Sequence, residues 1–239
     1  VGIGVLFGLA DWRFEMMGLL AHAIELERVF NIGPHTISFP RMEPAGNAPY
    51  VQESRWAVSD DDIARIVVLL RLAVPYTGMI LTARENAEMR RRLIPLGVTQ
   101  TDASSRIGVG SYAEAAGMQH DDRQQFMLGD TRSLDEVVRE LATMGLITSF
   151  CTAGYRCGRT GQCIMDLLRS GAEGKFCKLN AVLTYREWLD DFASPATLAA
   201  AEPVLAGEMD EVRERMPRAW PSFLASYERT ARGERDLYF

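Results

Sequence analysis

Short apolar runs alternate, over the first hundred residues, with longer stretches whose apolar positions fall three and four apart. Residues 2–9 form an apolar, glycine-bearing run of strand length. Residues 13–30 carry Phe14, Met17, Leu20 and Ile24 at helical spacing, which predicts an amphipathic helix with those side chains as its apolar face. Residues 35–39, β-branched and bounded by Pro34 and Pro40, predict a second strand, and 44–49 a loop. Ser59 followed three residues later by Asp62 reads as a capping box, with Ile63, Ile66, Val67 and Leu70 on one face of the helix behind it. Residues 78–82 predict a third strand, 85–96 a helix with Met89, Leu93 and Leu96 inward, and 100–103 a short fourth strand.

Strand and helix alternating in this way predict parallel strands joined by crossover helices. Four such units are half of a (β/α)8 barrel, and a half barrel leaves two unpaired edges that call for partner strands. The alternation stops after Arg106. Residues 107–131 are rich in glycine and polar residues and predict a loop, with Gly108-Val-Gly110 too short for a phosphate-binding turn. Ser133 to Glu136 caps a helix carrying Val137, Leu141 and Met144. Thr184 to Glu187 is expected to cap a helix running to Phe192, and Ser194-Pro195 to start another with Pro at its first position. Residues 207–239 are charged, helix-permissive and expected at the periphery. The expected division is a half barrel over 1–131 and a mostly helical domain over 132–239.

Composition narrows the function. The 239 residues are 47% hydrophobic and 24% charged, ordinary for a globular chain with a sizeable core. A net charge of −6 argues against sequence-independent nucleic-acid binding, which needs a basic stripe. No apolar run reaches the roughly 18 residues of a membrane span, and no basic, cleavable leader opens the chain. A cytoplasmic protein with neither a nucleic-acid nor a membrane partner is expected. The chain does not begin with Met, so a preceding segment is expected.

The four cysteines, Cys151, Cys157, Cys163 and Cys177, all fall within 27 residues. They are too few for a disulfide scaffold, and their clustering favours metal or redox chemistry. Thiolates are the preferred ligands of iron–sulfur clusters. Inert buried thiols and a four-cysteine zinc site are the alternatives, the latter lacking the usual CxxC knuckle. Cys163 opens a helix-like stretch and is expected to be a packed thiol. Arg106 lies just past the last strand, on the end of a barrel where active sites sit, and its forked donors match a carboxylate. Arg41 and Arg84 also follow strands.

Several stretches in order, VGIGVLFGL, GPHTISFPR, VPYTGMILTARE, SSRIGVGSYAEA, QFMLGDTRSLDEVVREL, SFCTAGYRCGRTG, FCKLNAVLT and EWLDDFAS, resemble the C-terminal half of the HydG family. These FeFe-hydrogenase maturases are radical S-adenosylmethionine (SAM) tyrosine lyases, related to the thiamine-pathway lyases and to biotin synthase. The resemblance covers roughly residues 1–200. It implies a (β/α)8 barrel followed by a domain with an auxiliary 4Fe-4S cluster, and cleavage of tyrosine to p-cresol and a fragment yielding CO and cyanide on iron. It further implies Arg106 and Ser105 as residues for the substrate carboxylate, and Arg41 and Arg84 as residues that hold SAM or fix the rim. His35 is implied as ligand of a labile iron beside the auxiliary cluster. As partners it implies the N-terminal half of the barrel, tyrosine, and other hydrogenase maturation proteins.

Two departures qualify the resemblance. The CxxxCxxC loop that binds the SAM-cleaving 4Fe-4S cluster is absent from these 239 residues, so SAM and that second cluster are expected only with an N-terminal half, and this chain alone is expected to be inactive. The family's auxiliary motif, CxxC followed after 22 residues by a third Cys, finds Cys151 and Cys177 in place but Gly154 in the middle position. Cys157, three residues on, is the expected substitute ligand. The competing reading is a non-catalytic iron–sulfur or iron-binding module, a diverged paralogue.

Overall fold

A computed structural model describes the chain apart from residues 44, 46, 47, 115–117, 121, 151–157 and 171–172. It divides into two compact units, Val1–Ser133 and Leu134–Phe239.

In the first unit, strands β1 (Gly2–Gly4), β2 (Thr36–Ser38), β3 (Gly78–Leu81) and β4 (Gln100–Thr101) form one sheet in the order of the chain. All three pairings are parallel, with Ile3 opposite Ile37, Ile37 opposite Met79, and Leu81 opposite Thr101. A bridge between Phe7 and Arg41 carries the β1–β2 pairing past the strand ends. Each strand lying beside its successor is the winding of a (β/α)8 barrel; a doubly wound sheet reverses its strand order partway. The fold is that of half a barrel followed by a helical unit.

Helices α1 (Trp12–Phe30), α3 (Asp60–Ala73) and α4 (Ala87–Leu93) cover one face of the sheet; the short α2 (Pro49–Glu53) contributes no buried residue. Their Met16, Leu19, Ile63, Ile66, Leu70 and Leu93 pack with Ile37, Met79 and Leu81 of the strands. The other face carries mostly small and polar residues, because alternation places Gly2, Gly4, Thr36, Ser38, Gly78 and Gln100 there, with Ile80 the large apolar exception. Gly4 has no alternative: a Cβ at that position would stand 2.6 Å from the Ser38 carbonyl oxygen. Ser59 caps α3 as expected, its hydroxyl accepting from the Asp62 amide (3.1 Å), and the Asp62 carboxylate reaches back to that hydroxyl (2.8 Å).

The helix over 13–30 is present, but its apolar face is not the expected one. Met16, Leu19 and Ala23 are buried, whereas Phe14, Met17 and Ile24 are each about two-thirds exposed or more. The chain carries two apolar rows on this helix, and the sequence period does not choose between them. Local hydrogen bonds do: the Glu15 carboxylate accepts from the Gly8 and Ala10 amides (3.1 and 3.0 Å) and Asp11 caps the first turn, fixing the rotation of the helix about its axis.

The second unit packs α5 (Leu134–Thr143), α6 (Gly161–Ser170), α7 (Glu173–Phe192), α8 (Pro195–Arg215) and α9 (Trp220–Ala231). Its core gathers Val138, Leu179, Val182, Leu183, Tyr185, Leu189, Leu205 and Phe223. Ser194 caps α8 through the Thr197 amide, with Pro195 in the first turn as expected. Thr184, by contrast, caps nothing. It sits in the middle of the twenty-residue α7, where its hydroxyl donates back to the Asn180 carbonyl (2.9 Å), an alternative use open to any helical threonine. The apolar row from Leu179 through Leu189 is continuous across it and keeps the helix intact.

Residues 207–239 are not peripheral. Val212 and Phe223 are fully buried, Phe223 packs against Trp220, Tyr227 and Phe239, and the Phe239 amide donates to Asn180 Oδ1 (2.7 Å). The charged residues between these positions mask a sparse apolar set that the end of α8, α9 and the C-terminal residues bring into one core.

Leu19→Ala is expected to cost about 2–4 kcal/mol in urea unfolding, and Phe14→Ala under about 1 kcal/mol. Equal losses at the two positions would return α1 to the face expected from its sequence.

Candidate functional site

The carboxyl ends of β2, β3 and β4 collect the charged residues of the first unit. Arg41, just past β2, gives a bidentate grip to Glu85 just past β3, with Nε to Oε1 at 2.8 Å and Nη2 to Oε2 at 2.7 Å. Its Nη1 donates to the Val58 carbonyl (2.9 Å), and Asp60 approaches Nη2 at 2.7 Å. The donors of Arg41 are thus committed inside the protein, and Arg41 ties β2, β3 and the start of α3 together. Glu43 lies 3.8 Å from the same guanidinium. Burial, followed by repulsion from Glu85, pushes its carboxyl up to about 7 against the attraction of Arg41 and Arg84.

Arg84 differs from Arg41. Its guanidinium lies 3.4 Å from the centre of the Phe126 ring and has no ion pair among the described residues. Burial lowers its basicity, with Glu43 opposing. Of the two arginines expected to serve SAM, Arg84 retains donors to offer, and Arg41 braces the rim.

The segment after β4 is held from behind. Arg90 of α4 is fully buried; its Nη1 donates to Asp130 Oδ2 (2.7 Å), and its Nη2 donates to the Thr101 hydroxyl and the Asp102 carbonyl. Asp130 also accepts from Arg132 Nε and Nη2 (2.9 and 2.7 Å). Burial pushes the Asp130 carboxyl up, but the hydrogen bonds from Arg132 and the charges of Arg90 and Arg132 outweigh it, leaving it below the usual carboxylate range. The Arg132 carbonyl then accepts from the Ser104 amide (3.1 Å), and Ser104 takes a left-handed conformation at φ 57°. Neither Glu43 nor the Arg90–Asp130 pair was anticipated from sequence. The only local signal is an acidic residue soon after a strand for Glu43, and none for a pair separated by forty positions.

That turn sets out the two residues expected to bind substrate. Ser105 donates to Asp102 Oδ2 (2.7 Å). Arg106 spends Nη1 on the Ser111 and Glu114 carbonyls (3.2 and 2.9 Å), while its Nε–Nη2 edge carries no hydrogen bond among the described residues. An open guanidinium edge with a fixed far side is suited to a bidentate carboxylate.

His35 lies at the other end of the sheet, where β2 begins; its amide donates to the Val1 carbonyl (2.8 Å) and its carbonyl accepts from Gly78 (2.9 Å). Cys177 is half-buried near the start of α7 in the second unit. Cys151, Gly154 and Cys157 lie outside the described residues. Cys163 is in a helix, as expected, but exposed and not packed. Met165 holds the buried face of α6, and two residues of helix turn the chain by about 200°. No group of three His, Cys, Asp or Glu among the described residues is placed to hold a metal ion. Nor is any helix among them long and apolar enough to cross a membrane.

The Biotin and Thiamin Synthesis associated domain matches residues 38–147. Over 147 residues the chain is 28% identical to 2-iminoacetate synthase of Escherichia coli (strain K12) and 26% identical to that of Salmonella typhimurium, each match covering 61% of this chain and 37% of the relative. A crystal structure of HydG, a maturase of the [FeFe]-hydrogenase, is 40% identical with a TM-score of 0.90, across all of this chain and 50% of that one. HydG from Carboxydothermus hydrogenoformans is 38% identical with a TM-score of 0.70, across 93% of this chain and 47% of that one. The chain spans about half the length of these structures, and less of the curated relatives.

Glu43 gives the site a pH signature. Its folded carboxyl holds a proton up to about pH 7, whereas the unfolded one releases it near 4.5. Its contribution to stability is therefore complete below pH 4.5 and lost as pH rises through 7. Between pH 5 and pH 8 the wild type should lose about 2–3 kcal/mol relative to Glu43→Gln, read from paired urea melts. Parallel pH profiles for the two proteins would show that Glu43 titrates normally.

Proposed function

We propose, for a chain similar to the C-terminal half of HydG along its whole length, that it forms part of a radical SAM tyrosine lyase serving FeFe-hydrogenase maturation. The observation that carries this reading is Arg106. It stands at the carboxyl end of β4 with one edge open, in a chain that shares 40% identity and a TM-score of 0.90 with a hydrogenase maturase. Residues 1–131 supply half of the barrel wall, and 132–239 the auxiliary domain. The substrate is tyrosine, and its fragments become the CO and cyanide ligands of iron.

When bound, SAM and its 4Fe-4S cluster supply the radical that starts carbon–carbon cleavage. The residues of this chain bind and orient. Arg106 holds the substrate carboxylate, with Ser105 beside it; Arg41 fixes the rim through Glu85, and Arg84 offers donors to SAM. Cys151, Cys177 and the substitute Cys157 of the auxiliary domain would hold the second cluster, and His35 of the first unit the labile iron. The remaining half of the barrel, which carries the SAM cluster, and other hydrogenase maturation proteins are the partners, in the cytoplasm. Gly154 in place of a cluster cysteine favours the second reading, a non-catalytic iron–sulfur module.

The chain alone, given SAM and a reductant, should form no 5′-deoxyadenosine above background, since it has no CxxxCxxC loop. In the complete enzyme p-cresol should form from tyrosine, and Arg106→Ala should weaken tyrosine binding by about 2–4 kcal/mol while SAM cleavage without substrate persists. A complete enzyme that cleaves SAM but makes no p-cresol would shift the assignment to the non-catalytic module.

A further inference from the structure

Residues 235–239 run back along α7. Arg235 grips Asp191 with Nε and Nη2 (2.8 and 2.6 Å), and the Asp236 amide donates to Glu187 Oε1 (2.6 Å). Leu237 and Phe239 pack on the helical core, with the Phe239 ring 6.3 Å from that of Phe223. At Phe239 the main chain meets the buried side chain of Asn180. Asn180 Oδ1 accepts from the Phe239 amide (2.7 Å), and Nδ2 donates to the Phe239 main-chain oxygen (3.2 Å). A buried amide group is tolerated when its donor and its acceptor are both used, and here both go to one residue. The partners on α7 fall at 191, 187 and 180 as the chain advances from 235 to 239, so this segment lies antiparallel to the helix and reaches its first half.

A third group closes on the same point. Arg159 Nη2 donates to the Phe239 main-chain oxygen (3.0 Å), and its guanidinium lies 4.3 Å from the centre of the Phe176 ring near the start of α7. One contact is a charge-assisted hydrogen bond and the other a cation–π pair. Gly158 and Gly161 stand on either side of Arg159 at φ 69° and 54°. Glycine adds no side-chain restraint to a backbone, so the contacts of Arg159 supply it there. Arg159 follows Cys157 by two residues, and Asn180 follows Cys177 by three. A single oxygen is therefore shared by donors from the two segments that carry these cysteines. The donor chemistry fits an iron–sulfur cluster: the guanidinium lies on Phe176, the neighbour of Cys177, and a cation near a thiol favours the thiolate that binds iron.

We propose that Phe239, Asn180 and Arg159 form a clasp that holds the exit of the cysteine-bearing segment against α7, with Arg159 and Phe239 as positioning residues for the auxiliary cluster. This rests on the reading of Cys157 and Cys177 as cluster ligands given above and adds what keeps their two segments together.

The test uses the complete enzyme with the cysteines of its CxxxCxxC loop replaced by alanine, so that every iron–sulfur signal is auxiliary. After anaerobic reconstitution, iron loss to a chelator is timed, and electron paramagnetic resonance of the reduced protein identifies the cluster. Arg159→Gln and Phe239→Ala should each speed iron loss about tenfold, the size expected when one charge-assisted hydrogen bond is lost. The double variant should lose iron no faster than the worse single one, because the two residues act through one contact. Arg159→Lys, which keeps a charge and a donor, should restore most of the retention. An Arg159→Gln protein that keeps its iron as the wild type does overturns the inference, and so do rates that multiply in the double variant. If Phe239→Ala does not fold, the two Arg159 variants decide by themselves. Hydrogen exchange gives a second readout that needs no cluster: Arg159→Gln should raise exchange at residues 236–239, and unchanged exchange there overturns the clasp. A wild type that binds no auxiliary iron sinks the cluster assignment instead, and exchange then judges the clasp alone.

Discussion

The carboxyl end of β4 depends on one buried contact, the ion pair between Arg90 and Asp130. Arg90 reaches from α4 through the helical layer and binds three things at once: the Asp130 carboxylate, the Thr101 hydroxyl and the Asp102 carbonyl. Taking both charges out of water is expensive, and the pair is tolerable because every oxygen of Asp130 is also bonded to Arg132 or Arg90. Removing Asp130 would leave the buried Arg90 guanidinium without its countercharge, at a cost of about 3–5 kcal/mol. Its effect is positional. It anchors the loop after Phe126 to the sheet, with the Gly129 and Asp130 amides donating to the Ala83 carbonyl (2.9 and 3.0 Å). Gly129 must be glycine, since a Cβ there would stand 2.3 Å from the Arg84 carbonyl oxygen. The same loop brings Phe126 under the Arg84 guanidinium. One buried pair thereby places both Arg84 and the turn that presents Asp102, Ser105 and Arg106.

A second constraint divides the sheet. Most large apolar side chains lie on the helix-covered face, and glycine, threonine, serine and glutamine, with Ile80, on the other. Stability is drawn from the first face, so the second is free to carry chemistry. The charges are then confined to the carboxyl ends of the strands, where the alternation ends and side chains from neighbouring strands converge. Arg41 and Glu85 satisfy each other there. Glu43, left with burial and a like-charged neighbour, holds its proton to about neutrality.

What could be read from the sequence follows the range of the forces involved. The strand–helix alternation, the Ser59 capping box and the Ser194-Pro195 helix start depend on neighbours a few residues away, and these were legible. The inward face of α1 was not, because two apolar rows compete and Glu15 decides between them by bonding to the preceding loop. Thr184 was misread as a cap since its hydroxyl serves a helix interior equally well. Arg106 was legible as a candidate from its place after a strand. The arrangement that orients it was not, because Arg90, Asp130 and Arg132 are brought together only by the fold.

The same reasoning separates the arginines after the strands, which look alike in sequence. Each is a long cation at the same level of the sheet, yet their donors are spent differently. Arg41 has a carboxylate on the next strand and a helix start beside it, so it becomes a brace. Arg84 has an aromatic face beneath it and an uncommitted edge. Arg106 binds carbonyls of its own following turn with one nitrogen and leaves the opposite edge open. A residue's position on the barrel end gives it the opportunity to bind a ligand, and what remains of its hydrogen-bonding capacity decides whether it can. By that measure Arg84 and Arg106 keep hydrogen-bonding capacity that Arg41 has spent, each fixed on one side by the protein and unfinished on the other.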